Sequence, residues 1–113
     1  MNSTKGNGSG NGGLRISVRS GPGSGSAQSL GARWLHIGRD RECALVLTGE
    51  GVESEHASIK GLGDVAEIRD LGSHDGTFVN GEKIDRATLL EPGDEVRIGD
   101  SVLALESSNG GAV

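Results

Sequence analysis

The chain has 113 residues, a formal net charge of −5, 33% apolar residues and only 2% aromatic ones. That length holds one domain with one modest core. An acidic chain with no basic stripe and almost no aromatic stacking platform is unsuited to nucleic acid, and it has neither an apolar run of membrane-spanning length nor the apolar stretch of a secretory signal.

Met1 to Gly13 is almost all Gly, Asn, Ser and Thr, and Ser107 to Val113 is similar. Such segments bury too little surface to offset chain entropy, so 1–13 and 107–113 are expected to be flexible tails around a domain at 14–106. Leu14-Arg15-Ile16-Ser17-Val18-Arg19 alternates as a strand with Leu14, Ile16 and Val18 on one face. Ser20 to Gly31 holds Gly21-Pro22-Gly23 and reads as a turn-rich connection. Trp34 to Ile37 follows with Leu35 and Ile37 inward, then a short apolar run from Ala44 to Leu47. Ala57 to Gly61 and Val65 to Leu71 read as two further strands. Thr77 to Val79 and Glu82 to Ile84 flank Asn80-Gly81, a hairpin signal because a type I′ turn needs two positive φ values. Glu95 to Ile98 and Ser101 to Glu106 flank Gly99-Asp100 as a second hairpin. No helical face runs for ten residues, and many short strands at regular spacing imply an all-β sandwich or barrel.

Between the strands lie Gly38-Arg39, His56, Asp75-Gly76 and Asn80-Gly81. Taken singly each has a plain reading. Arg39 is a solvated loop residue, or a fork suited to bidentate capture of phosphate or carboxylate. His56 is a structural ring tying two loops through both nitrogens. Asp75, Gly76, Asn80 and Gly81 are turn formers. Ser54, His56 and the nearby Asp residues have no nucleophile elbow to make them a hydrolase triad. Cys43 with His36, His56 and His74 fits no paired metal-ligand spacing, and Cys43 beside Ala44-Leu45-Val46 reads as a small core residue. As the only cysteine it leaves no internal disulfide, which fits a reducing cytoplasm. No metal or other cofactor is implied.

The joint order of these pieces resembles the forkhead-associated (FHA) domain family. Ser20-Gly21-Pro22, Ile37-Gly38-Arg39 with Cys43 to Leu47, Val52 to Ile59, Asp70 to Gly81, and Pro92-Gly93-Asp94 with Val96 to Gly99 look like its successive blocks, covering about Leu14 to Glu106. The resemblance implies a β-sandwich of about eleven strands whose loops at one end bind a phosphothreonine peptide. It also implies the site. Arg39 matches the phosphate-binding Arg, while Gly38, His56, Gly76 and Thr77 match the positions that support the loops. Glu53 stands where the family has a Ser that donates a hydrogen bond to the phosphate, and Ser54 where an Arg is common. His74 stands at a Ser or Thr position, Asp75 where an Asn holds the peptide backbone, and Asn80 matches the Asn of the next Asn-Gly.

The substitutions put acceptor-only anions where donors belong. Glu53 is therefore expected to pair with Arg39 as a built-in phosphate substitute, the alternative being a Glu53 in solvent; Ser54 is the phosphate contact if the register slips. The expectation is a non-enzymatic interaction module of intracellular signalling in the cytoplasm, monomeric as an isolated domain. Its partner is a phosphothreonine-containing or an unmodified protein segment, with phosphate dependence in question because of Glu53 and Asp75. The alternative is phosphate-independent binding or an intramolecular regulatory or structural role.

Overall fold

The computed structural model describes residues 13–107. The expected tails lie outside the described residues except for Gly13 and Ser107, and Ser107 is the last residue of a strand, opposite Leu14. Among the described residues eleven strands follow one another without a helix: β1 (Leu14–Ser20), β2 (Ala27–Ser29), β3 (Leu35–Gly38), β4 (Leu45–Val46), β5 (Ala57–Leu62), β6 (Val65–Asp70), β7 (Thr77–Val79), β8 (Glu82–Lys83), β9 (Thr88–Leu90), β10 (Glu95–Ile98) and β11 (Ser101–Ser107).

They form two sheets. One runs β9-β6-β5-β3-β4 and the other β2-β1-β11-β10-β7-β8. All pairings are antiparallel except β3 with β4. The all-β sandwich expected from the alternation is what the chain builds, with two strands that periodicity does not reveal. β2 lies inside the segment read as a turn-rich connection, and Ala27-Gln28-Ser29 carries no apolar face because it is an edge strand. β9 is a three-residue edge strand that buries Leu90 and leaves Leu89 outside.

The inner faces meet in an aliphatic core. Ile16 and Val18 of β1, Val96 and Ile98 of β10, and Leu103 and Leu105 of β11 pack toward Ile37, Ile59, Ile68 and Leu90 of the other sheet. Each such side chain, fully withdrawn from water, contributes about 1.5–3 kcal/mol before chain entropy is charged against it. Neither aromatic residue belongs to this core. Phe78 pairs across strands with exposed Arg97, whose guanidinium stacks over its ring, and Trp34 lies under Lys60 and Arg69. Cys43 is also outside the core. It is half-buried in the β3–β4 loop, and its Sγ–H donates to Ser54 O, because the chain turns at Asp40 before the apolar run begins.

Asn80 and Gly81 have φ of 49° and 88°, the paired positive values a type I′ turn requires between β7 and β8. The loops β3–β4, β4–β5 and β6–β7 and the β10–β11 turn gather at one end of the sandwich, where the candidate site lies.

Candidate functional site

The site is built on the close approach of two loops. β3 ends at Gly38, and the segment 53–56 lies directly across it. Arg39 N donates to Glu53 O, Asp40 N to Ser54 O and His56 N to Ile37 O. A Cβ on Gly38 would overlap the Ser54 carbonyl. Glycine is required here by space.

His56 links this segment to the β6–β7 loop. Its ring is fully buried. Nδ1 accepts the Glu53 backbone N–H at 3.2 Å, so the proton is on Nε2, which donates to Gly76 O at 2.9 Å. The ring thus satisfies one backbone group in each loop.

A second hub holds the β6–β7 loop itself. Asp70 Oδ1 accepts the hydroxyls of Ser73 and Thr77, and Oδ2 accepts the N–H groups of Gly72 and Ser73. Ser73 Oγ in turn accepts from Gly76 N. Burial pushes the Asp70 carboxyl upward, but the Ser73 and Thr77 hydroxyls and the two N–H groups outweigh it, and the pKa lies below its ordinary value. The pattern Asp70-Leu71-Gly72-Ser73 is an Asx-turn signature that could have shown this hub in the sequence.

On this frame sit the residues expected to contact a ligand. Arg39 does not pair with Glu53. Its Nη2 donates to Gly49 O at 2.6 Å and its Nε to Val52 O at 3.2 Å. Among the described residues no carboxylate lies within ion-pair distance of it. The Glu53 carboxylate turns to the other loop, where Oε2 accepts the His74 backbone N–H at 3.2 Å. The expected ion pair is therefore replaced by two separate attachments. The carbonyls of the β4–β5 loop capture the guanidinium, and an amide 21 residues downstream captures the carboxylate.

The side chains of Ser54 and His74 are exposed. Asp75 is exposed too, and its carboxylate lies against Gly51, where a Cβ would overlap it. Beside it an open depression of about 580 Å³ is lined by Glu50, Asp75, Asp100, Phe78 and Arg97. Asn80 is turned to the following turn instead: its Nδ2 donates to Asp94 Oδ1 and its Oδ1 accepts from Glu95 N. Cys43 borders the β3–β4 loop. Burial first, then the charges of Asp40 and Glu55, hold its thiol above the ordinary value, so it stays protonated. Among the described residues no three His, Cys, Asp or Glu side chains group to hold a metal, and no helix is long and apolar enough to cross a membrane.

The FHA domain model matches residues 35–99, the stretch that holds Arg39, Glu53, His56, Asp70, Asp75 and Asn80. The chain belongs to the FHA domain family. The family is one of interaction modules that bind phosphothreonine. The FHA domain-containing protein FhaB of Mycolicibacterium smegmatis is 33% identical over 91 residues, which are 80% of this chain and 59% of that protein. The glycogen accumulation regulator GarA of the same organism is 37% identical over 82 residues, 73% of this chain and 51% of that protein. This chain thus spans only about half to three-fifths of such relatives.

Among solved structures, an FHA domain from a study of phosphothreonine-dependent FHA interactions superposes with a TM-score of 0.73 at 29% identity, covering 82% of this chain and 94% of that one. Mycobacterium tuberculosis EmbR in complex with a low affinity phosphopeptide gives 0.73 at 32% identity, covering 84% of this chain and 24% of that one.

Proposed function

We propose that this FHA domain is a protein-interaction module of cytoplasmic signalling whose loop end takes a partner segment without requiring phosphothreonine. Arg39, Glu53, Ser54, His74 and Asp75 are the contact residues, while Gly38, His56, Gly76, Thr77 and Asn80 hold them in place. The module acts through binding alone and is a monomer in isolation.

The observation that carries this reading is the Glu53 carboxylate seated on the His74 N–H, 3.2 Å away. An anion already occupies a donor in the cleft between the loops, at the position where the family offers a hydroxyl. A phosphothreonine brings a charge of about −1.5 to −2. At about 5 Å and an effective dielectric of about 20, each unit of like charge costs on the order of 3 kcal/mol, less where water screens it. A micromolar peptide has only about 8 kcal/mol of binding free energy to lose. Asp75 adds a second anion in place of amide donors. The opposite reading rests on Arg39, whose Nη1 has no acceptor among the described residues and is available to a phosphate.

The test is an NMR titration with a degenerate phosphothreonine peptide library and its unphosphorylated twin. Wild type is compared with the variant Glu53→Ser, Ser54→Arg, Asp75→Asn. Phosphate-selective shifts are expected only in the triple variant. Phosphate-selective binding by wild type would show that Arg39 prevails and defeat the proposal.

A further inference from the structure

We infer that the outer face of the β9-β6-β5-β3-β4 sheet, centred on Trp34, is a second docking surface for an acidic protein segment with apolar anchors. The inference does not rest on the reading of the loop end.

The register places the face. Lys60 lies opposite Glu67, which lies opposite Leu89, and Leu62 shares their side of β5 two residues after Lys60. Trp34 comes level with Lys60 one residue before β3, since Leu35 pairs with Ile59. The exposed large apolar side chains among the described residues are Leu62 at 43% and Leu89 at 60%, and both lie here. Trp34, the chain's single Trp, lies here too instead of in the aliphatic core.

Two cations lie over the Trp34 ring, Lys60 Nζ at 4.6 Å and Arg69 Cζ at 4.1 Å from its centroid. Stacking orders both side chains before any partner arrives, which lowers the entropy lost on binding. Arg69 Nε donates to Ser58 Oγ, which fixes the fork, and its two Nη groups have no acceptor among the described residues. Lys60 reaches only Glu67, at 4.0 Å. Two ordered cations with unused donors thus stand beside two exposed leucines.

Charge complementarity selects the occupant. On a chain of net charge −5, this face gathers Lys60 and Arg69 against Glu67, with Glu55 held on His36 at its β3 edge. An acidic segment is repelled by most of the molecule and attracted here. Its Asp or Glu carboxylate meets the planar Nη pair of Arg69, and its apolar side chains seat on Leu62 and Leu89.

The test is phage display of random twelve-residue peptides on the full 113-residue chain. Selected peptides are then synthesised and titrated against Trp34 fluorescence, which reports this face alone because no other Trp exists. Enriched peptides with Asp or Glu beside Leu, Ile or Phe are expected. Binding should weaken at least fivefold in Lys60→Glu and about threefold in Leu89→Ser, and be unchanged in Arg39→Ala. Thermal melting of each variant checks the fold, and Leu89→Ser alters only an exposed side chain. The inference is overturned by failure to enrich, by selection of basic or neutral peptides, or by binding that Arg39→Ala abolishes. A concentration-dependent mass that Leu89→Ser abolishes would assign the face to a second copy and overturn it equally.

Discussion

Replacing His56 with Ala should be among the most damaging single changes at the loop end. The ring is fully buried, and it satisfies the Glu53 N–H and the Gly76 carbonyl. Truncation leaves both backbone groups without a partner and opens a void under the β6–β7 loop. An unsatisfied buried group costs about 1–3 kcal/mol, and loss of the ring's packing adds to it. Water entering from the loop side recovers part, so the expected loss is about 3–5 kcal/mol, a large share of a small domain's total. Urea unfolding followed by far-UV circular dichroism measures it. With a slope of about 1–1.5 kcal/mol per molar, the midpoint should fall by about 2–5 M with the slope unchanged. Amide exchange at Glu53 should accelerate as well. A midpoint shift under about 0.7 M would mean that the ring is not the bridge described, and the account of how the loops are held together would fail.

Three further outcomes are expected. Gly38→Ala pushes a methyl into the Ser54 carbonyl and should cost about 2–4 kcal/mol, seen as a lowered thermal midpoint; an unchanged midpoint would contradict the close approach of the loops. Asp70 has a folded pKa below its unfolded value, so its contribution is fully present above about pH 4 and is lost as pH falls through the folded value. Asp70→Asn should therefore flatten the acid limb of the stability profile and, by setting an amide against the Gly72 and Ser73 N–H groups, lose about 1–3 kcal/mol at neutral pH; an acid limb as steep as in wild type would refute the assignment. Asn80→Ala loses the bonds to Asp94 and Glu95 and puts Ala at φ 49°, a loss of about 1–3 kcal/mol that urea unfolding will register, with a neutral result refuting the hairpin-tying role.

The sequence was readable where one face of a strand is buried. Leu14, Ile16 and Val18 announce β1, and Asn80-Gly81 announces its hairpin, because core burial and turn sterics act on consecutive residues. β2 and β9 were not readable, since a short edge strand owes its pairing to a neighbour and not to its own pattern. At the site, Gly38 and His56 stood out because their roles are steric and local to a motif. The partners of Arg39 and Glu53 did not, although their nearness was foreseen. Which bond a charged side chain makes is a competition, and the Gly49 and Val52 carbonyls and the His74 amide prevailed over mutual attraction. Cys43 misled for a related reason, as adjacency to an apolar run does not place a residue on its buried side.

The pairing of Leu14 with Ser107 has its own consequence. Leu14 and Ser107 thus lie one strand spacing apart, about 5 Å. The seven residues of β1 then carry the chain about 20 Å away, to the end where the loops gather. A segment cut to residues 14–107 is therefore expected to splice into a surface turn of another protein without prising that turn open, with the loop end facing outward from the host. Closing residues 107 and 14 with a short Gly-Ser bridge and opening the Gly63 turn gives a circular permutant that should fold with the loop end intact.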